Sequence, residues 1–129
     1  MFGRQNSKCQ WKRAIRIMHN QGYLAHTNGF FLSSKILKLT DMNYFIIGLH
    51  MYKYRNIYYL VSQHDYNTRN RNLLVPVYHR LTLTQHSITK RGPDVWNNIP
   101  DHIKNLNSFS LFKKYLKEFL ISSYSLEQD

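Results

Sequence analysis

One cysteine, Cys9, occurs in 129 residues. A lone thiol closes no internal disulfide and cannot build a Cys-rich zinc knuckle, so the chain reads as one stabilised by its core in a reducing compartment. Acidic side chains are nearly as scarce, with seven Asp and Glu against eighteen Lys and Arg. Those seven, Asp41, Asp65, Asp94, Asp101, Glu118, Glu127 and Asp129, are scattered, with no two adjacent. Polymerases and nucleases gather carboxylates to hold divalent metals. This scatter suits helix capping and surface charge instead, so neither a metal site nor a cofactor is expected. The five glycines stand apart, which excludes a Gly-rich phosphate loop. No strand-turn-helix context surrounds a Ser or Cys as in a nucleophile elbow. The longest apolar stretch, around residues 44–49, is far too short to cross a bilayer. The N-terminus, MFGRQNSKCQ, has no apolar core of a secretory signal. The expected setting is intracellular, nuclear or cytoplasmic, not secreted, with no membrane and no small-molecule substrate.

What the chain has is positive charge and aromatic rings. Its net charge is +11, and ten tyrosines and seven phenylalanines contribute to an apolar content of 43%. That content suits a globular protein. The length bounds it to one domain, which would bury roughly 68% of its unfolded surface. A chain so basic repels itself and attracts polyanions, nucleic acid first, an anionic membrane surface second. Seven histidines, His19, His26, His50, His64, His79, His86 and His102, include no pair at the three-to-five spacing of a helical zinc site. They read as polar or capping residues.

Periodicity organises the rest. Residues 1–7 read as a disordered tail, 8–124 as one domain and 125–129 as a second tail. Residues 8–20 read as a helix with Trp11, Ile15 and Met18 on one face, Lys8, Lys12 and Arg16 on another, and Gly22 as a left-handed stop. A short helix over 28–34 and an extended link through Ile36, Leu37 and Leu39 follow. Thr40 reads as the N-cap of a helix over 41–55 with Asp41 in its first turn. That helix is apolar nearly all round, which predicts packing on more than one side, and Gly48 within it predicts a close approach by another element. Over 56–90 the helical period fades. Val75, Val77, Leu81, Leu83 and Ile88 suggest one or two short strands, with Pro76 at an edge or start. A Gly92-Pro93 turn then leads into a short helix carrying Trp96, which Pro100 stops. The last helix, over 109–122, is opened by Ser108, with Phe109, Phe112, Leu116, Phe119 and Leu120 on one face; Leu111 and Ile121 fall outside the stripe. The fold class is mostly α: a small helical domain with an irregular middle segment and room for a short two-stranded β element.

These elements in this order carry a family resemblance. His64, Tyr66, Thr68 and Arg69 come first, then Arg80 and Thr82, then Gly92, Pro93, Trp96, Asn97 and Pro100, and finally Ser108, Phe112, Lys113, Leu116, Lys117 and Leu120. Over roughly residues 8–124 the chain resembles the C-terminal tail of reverse transcriptases from LINE-type, non-LTR retrotransposons of the Jockey-like branch. Arg80-Leu81-Thr82 departs from the family's more usual Arg-Thr arrangement and loosens the match there. The resemblance implies a tail without its RNA-directed DNA polymerase. The palm and its metal-holding Asp-Asp pair would lie upstream, and no catalytic residue is expected here. It also implies the thumb or palm of a parent enzyme as a partner. His64 and Thr68 would then help fix an irregular loop by hydrogen bonds.

Three basic clusters carry the functional expectation. Lys12, Arg13 and Arg16 form the first; Arg69 and Arg71, with Tyr66 and interleaved asparagines, the second; Lys113, Lys114 and Lys117 the third. Such side chains grip RNA or DNA phosphates without reading sequence, and a tyrosine beside an arginine can stack on an unpaired base. A solvated basic face is the plainer reading of each. Trp96 reads as a core anchor. The expected function is a non-catalytic, sequence-tolerant nucleic-acid-binding accessory domain. The alternative is a structural remnant or protein-interaction domain with no nucleic-acid role.

Overall fold

A computed structural model of the chain describes residues 2–61, 73–74, 80–82 and 86–125, with the backbone alone for 2–6 and 58–61. Among these residues the chain is mostly helical, 74% in six helices with no strand. The helices are α1 (Phe2–Met18), α2 (Asn28–Ser34), α3 (Leu39–Val61), α4 (Ile88–Asn98), α5 (Asp101–Lys104) and α6 (Phe109–Ser122), followed by a 3-10 turn, Ser123–Ser125. The fold divides into two compact units. The first comprises Met1–Asn43 with Lys117–Asp129, the second Tyr44–Leu116. No described helix is long and apolar enough to cross a membrane.

In the first unit, helix ends depart from expectation in instructive ways. α1 begins at Phe2, so residues 2–7, expected as a loose tail, are drawn into the helix. It stops before Gly22: the left-handed residue is Asn20, at φ 52°. Gln21 N–H then closes onto the Arg16 carbonyl at 2.9 Å, the six-residue bond of a Schellman end. Asparagine tolerates this region because its short polar side chain bonds locally. α2 ends the same way on Lys35, also at φ 52°, with Ile36 N–H bonded to the Phe31 carbonyl. α3 starts two residues before the expected 41, because the Lys38 carbonyl already accepts the Met42 N–H at 2.9 Å.

Ile15, Phe31, Leu37 and Tyr124 are buried in this unit, as are Leu120 and Ile121. Ile121, expected outside the apolar stripe, is thus a core residue. Met18, expected on the buried face of α1, is 66% exposed. Tyr124 fastens the 3-10 turn to the start of α3. Its hydroxyl accepts the Lys38 N–H at 2.9 Å and donates to Asp41 Oδ2 at 2.5 Å.

The second unit is built around Met51, Trp96, Ile99, Ile103, Phe112 and Leu116, all fully or almost fully buried. On α3, Ile47, Gly48 and Met51 are buried while Ile46 and Ile57 face solvent, so the helix packs chiefly along one face. Gly48 has the close approach its position suggests. A Cβ there would lie 2.8 Å from Leu116 Cδ2 and 3.3 Å from Ile99 Cδ1. Tyr52 stacks on Phe112 with ring centroids 4.3 Å apart and donates its hydroxyl to the Leu106 carbonyl. Tyr44 donates to the Val95 carbonyl at 3.2 Å, and desolvation raises its phenol above the ordinary 10.0.

The Gly92-Pro93 pair corrects the sequence reading. It is not a turn: it lies inside α4, which starts at Ile88 after an extended Ser87. Ile88, suggested as strand, is therefore helical, and Leu81 is an exposed bend; Val75, Val77 and Leu83 lie outside the described residues. A proline early in a helix removes one ladder bond, and its ring clashes with a Cβ on the preceding residue. Glycine at 92 removes that second clash, and it also lets Met51 in: a Cβ on Gly92 would lie 2.5 Å from the Met51 sulfur. Gly92→Ala is expected to destabilise the unit. Overpacking costs about 1–3 kcal/mol, against about 1 kcal/mol gained in helix propensity. The clash falls on the middle of a fully buried side chain, which has little room to yield. Urea denaturation of the variant checks this, and a rise in stability would contradict the packing described.

Pro100 does end α4. Ile99 before it is extended, at φ −73° and ψ 134°, as residues preceding proline prefer. Ser108 stands immediately before α6, and its carbonyl accepts the Phe112 N–H at 2.9 Å. Of the expected face of α6, Phe112, Leu116 and Leu120 are buried, whereas Phe109 and Phe119 remain partly exposed.

Candidate nucleic-acid interface

α1 positions the first basic cluster. Lys8, Trp11 and Lys12 fall at i, i+3 and i+4, so they project from one side of the helix. The Trp11 ring is fixed by a hydrogen bond from Nε1 to the Leu37 carbonyl at 3.1 Å. That bond is one contact between α1 and the link ahead of α3, and Lys38, Leu39 and Thr40 lie alongside. The result is an open cleft of about 230 Å³, lined by Lys8, Trp11, Lys12, Asn28, Phe31, Lys38, Leu39 and Thr40. Phe31, fully buried, forms apolar floor, and Trp11 is half-buried.

Electrostatically the cleft is positive. It takes three lysines and no acid from its lining. Lys8 and Lys12 are exposed, and neither side chain makes an ion pair or hydrogen bond among the described residues. Lys38 Nζ lies 4.5 Å from the centre of the Tyr124 ring, an arrangement in which the ring's negative face supports the ammonium. Asp41, the acid in the first turn of α3, is held by the Tyr124 hydroxyl.

The chain matches no protein-family model, no curated protein and no solved structure. Its site is therefore read from its own geometry.

Of the expected binding residues, Lys12 lines the cleft. Arg13 is exposed on α1 but outside the lining. Arg16 is engaged within the fold. Its Nε donates to the Ala25 carbonyl at 2.9 Å, and its guanidinium lies 5.7 Å from the Tyr23 ring centre. Lys113, Lys114 and Lys117 are all exposed along α6, Lys113 and Lys117 four apart on one side. Tyr66, Arg69 and Arg71 lie outside the described residues, as do His64 and Thr68. Among the described residues, no group of three or more His, Cys, Asp or Glu side chains gathers where a metal ion could sit.

Sequence reasoning placed Lys8 on a basic face but missed Trp11, Lys38 and Thr40 as site residues. The sequence reading sets Trp11 on a separate apolar face with Ile15 and Met18, whereas at i+3 from Lys8 it borders the same side of α1 as Lys8 and Lys12. Lys38 and Thr40 carry no local signal, because tertiary packing rather than local spacing sets them beside α1.

The other residues singled out in the sequence divide by burial. Gly92, Pro93, Trp96, Phe112 and Leu116 are core. Asn97 pairs with a length of backbone. Its Oδ1 accepts the Leu74 N–H at 3.0 Å, and its Nδ2 donates to the Leu74 carbonyl at 2.7 Å. One amide thus satisfies both backbone groups of a fully buried leucine.

Proposed function

We propose that the chain is a non-catalytic accessory domain that holds RNA or DNA by its phosphates with little regard to sequence, as the tail of a LINE-type reverse transcriptase would. The observation that carries this reading is the gathering of Lys8, Lys12 and Lys38 round one cleft in a chain of net charge +11. Lys113, Lys114 and Lys117 on α6 are exposed as well. Lysine ammonium groups grip phosphates as point charges, and contacts made to phosphates carry no sequence information. The parent enzyme's thumb or palm would be the protein partner, and the nucleus or cytoplasm the setting.

The test uses short single-stranded RNAs and DNAs of equal length and unrelated sequence, read by fluorescence anisotropy. Affinities are expected to be alike across sequences and within about 10⁻⁴–10⁻⁶ M at physiological salt, the range of phosphate-led binding. Lys12→Glu should weaken all of them together. Strong preference for one sequence, or indifference to Lys12→Glu, would count against the reading.

A second reading, a protein-contact remnant, is favoured by one observation. Leu111, Tyr115 and Phe119 recur at every fourth residue of α6 and are 47%, 44% and 37% exposed. An exposed apolar stripe of that kind favours association. It predicts self-association of the isolated chain on sedimentation, whereas a concentration-independent monomer would set it aside.

A further inference from the structure

We infer that the cleft of the first unit seats one unpaired nucleotide, with its base against the Trp11 ring and its phosphate among Lys8, Lys12 and Lys38. The inference rests on the proposed polyanion binding and deepens it: charge alone explains attraction, but not an aromatic wall set among the charges.

Four features converge. First, the cleft is open and about 230 Å³, too small to enclose a nucleotide but able to take the face of one base while sugar and phosphate stay towards solvent. Second, the ring of Trp11 is oriented rather than loose, because its Nε1 already donates to Leu37. An anchored indole presents a preformed face to a planar partner. Third, the apolar floor of Phe31 and Leu39 favours a ring over a hydrated ion, while the lysines favour an attached phosphate. Fourth, the Thr40 hydroxyl at the rim supplies a donor and acceptor for a ring edge or a sugar hydroxyl. A duplex buries its bases in the stack, so the seat selects single-stranded positions. Stacking is tolerant of base identity, which keeps it compatible with sequence-tolerant binding.

The same base-and-phosphate chemistry comes in a polymer or as a free nucleotide, and the test separates the two. Full-length chain, Trp11→Leu and Trp11→Phe are titrated with a single-stranded RNA, with an abasic oligonucleotide of equal length, and with AMP. The expected result is a fall of about tenfold in RNA affinity for Trp11→Leu, since stacking on one aromatic is worth about 1–3 kcal/mol. Affinity for the abasic oligonucleotide should stay unchanged. Trp11→Phe drops the bond to Leu37 but keeps a ring, and should retain most of the RNA affinity. Saturable quenching of tryptophan fluorescence by AMP, abolished in Trp11→Leu, supports the seat for free nucleotides as well; quenching by RNA alone assigns it to the polymer. Equal losses for RNA and abasic oligonucleotide, or equal losses in the Leu and Phe variants, would mark Trp11 as structural and overturn the inference. RNA binding indifferent to Trp11 overturns the seat while leaving polyanion binding intact. Failure of the full-length chain to bind either oligonucleotide overturns both.

Discussion

Trp96→Ala is expected to remove about 3–5 kcal/mol from the second unit, the usual cost of truncating a large buried aromatic. The indole is 2% exposed, with the Phe112 ring centroid 6.0 Å away and the Lys104 ammonium also 6.0 Å from its ring centre. Phe112 in turn stacks on Tyr52, whose hydroxyl holds the Leu106 carbonyl ahead of α6. Emptying the indole's place therefore withdraws support from α3 and α6 together. A domain's whole stability is about 5–15 kcal/mol, so the loss brings the unit close to unfolding. Urea denaturation followed by far-ultraviolet circular dichroism checks this. A loss below about 1 kcal/mol, typical of surface positions, would show that the ring is not the anchor described. Phe112→Ala should be comparably costly. The two losses should not add, because side chains in contact share the same neighbours.

Asn97→Asp is the second large effect, and it tests hydrogen bonding rather than volume. The substitution keeps size and shape but exchanges Nδ2, which donates to the Leu74 carbonyl, for an oxygen that can only accept. A carboxylate would face a carbonyl oxygen at the separation where a hydrogen bond now sits. The Leu74 N–H keeps an acceptor, so the damage concentrates on the Leu74 carbonyl and on a new, half-buried charge facing it. Leaving a buried polar group unpaired costs about 1–3 kcal/mol, more when a charge is involved. Lowering the pH should recover part of the loss, because a protonated carboxyl can donate where the amide did. Asn97→Leu, which removes both bonds, should not recover at low pH. If the two variants behaved alike across pH, the paired amide–backbone bonds would not account for the position.

The expected bounds of α2 and α6, residues 28–34 and 109–122, coincide with the helices formed, because local signals and packing agree there. α6 has an apolar stripe in phase with its burial and a serine at its start. Gly92-Pro93 misled for a physical reason. The pair is a frequent turn, but an extended Ser87 starts the helix five residues earlier, and Met51 occupies the space a Cβ on Gly92 would take. Neither fact is local. Gly22 misled similarly, since Asn20 reaches the left-handed conformation first. The basic side of α1 was legible from spacing alone. The cleft was not, because Lys38 lies 26 residues beyond Lys12 and only the folded packing sets it alongside.

The most direct measurement of polyanion binding is the affinity of the full-length chain for a single-stranded RNA, taken from about 50 mM to about 200 mM salt. Each phosphate neutralised on a single strand contributes about −0.7 to the slope of log affinity against log salt. Engagement of Lys8, Lys12 and Lys38 alone predicts a slope near −2, steeper if the lysines of α6 take part. Lys8→Ala or Lys12→Ala should each make it shallower by about 0.7. An affinity unmoved across that range would contradict phosphate-led binding.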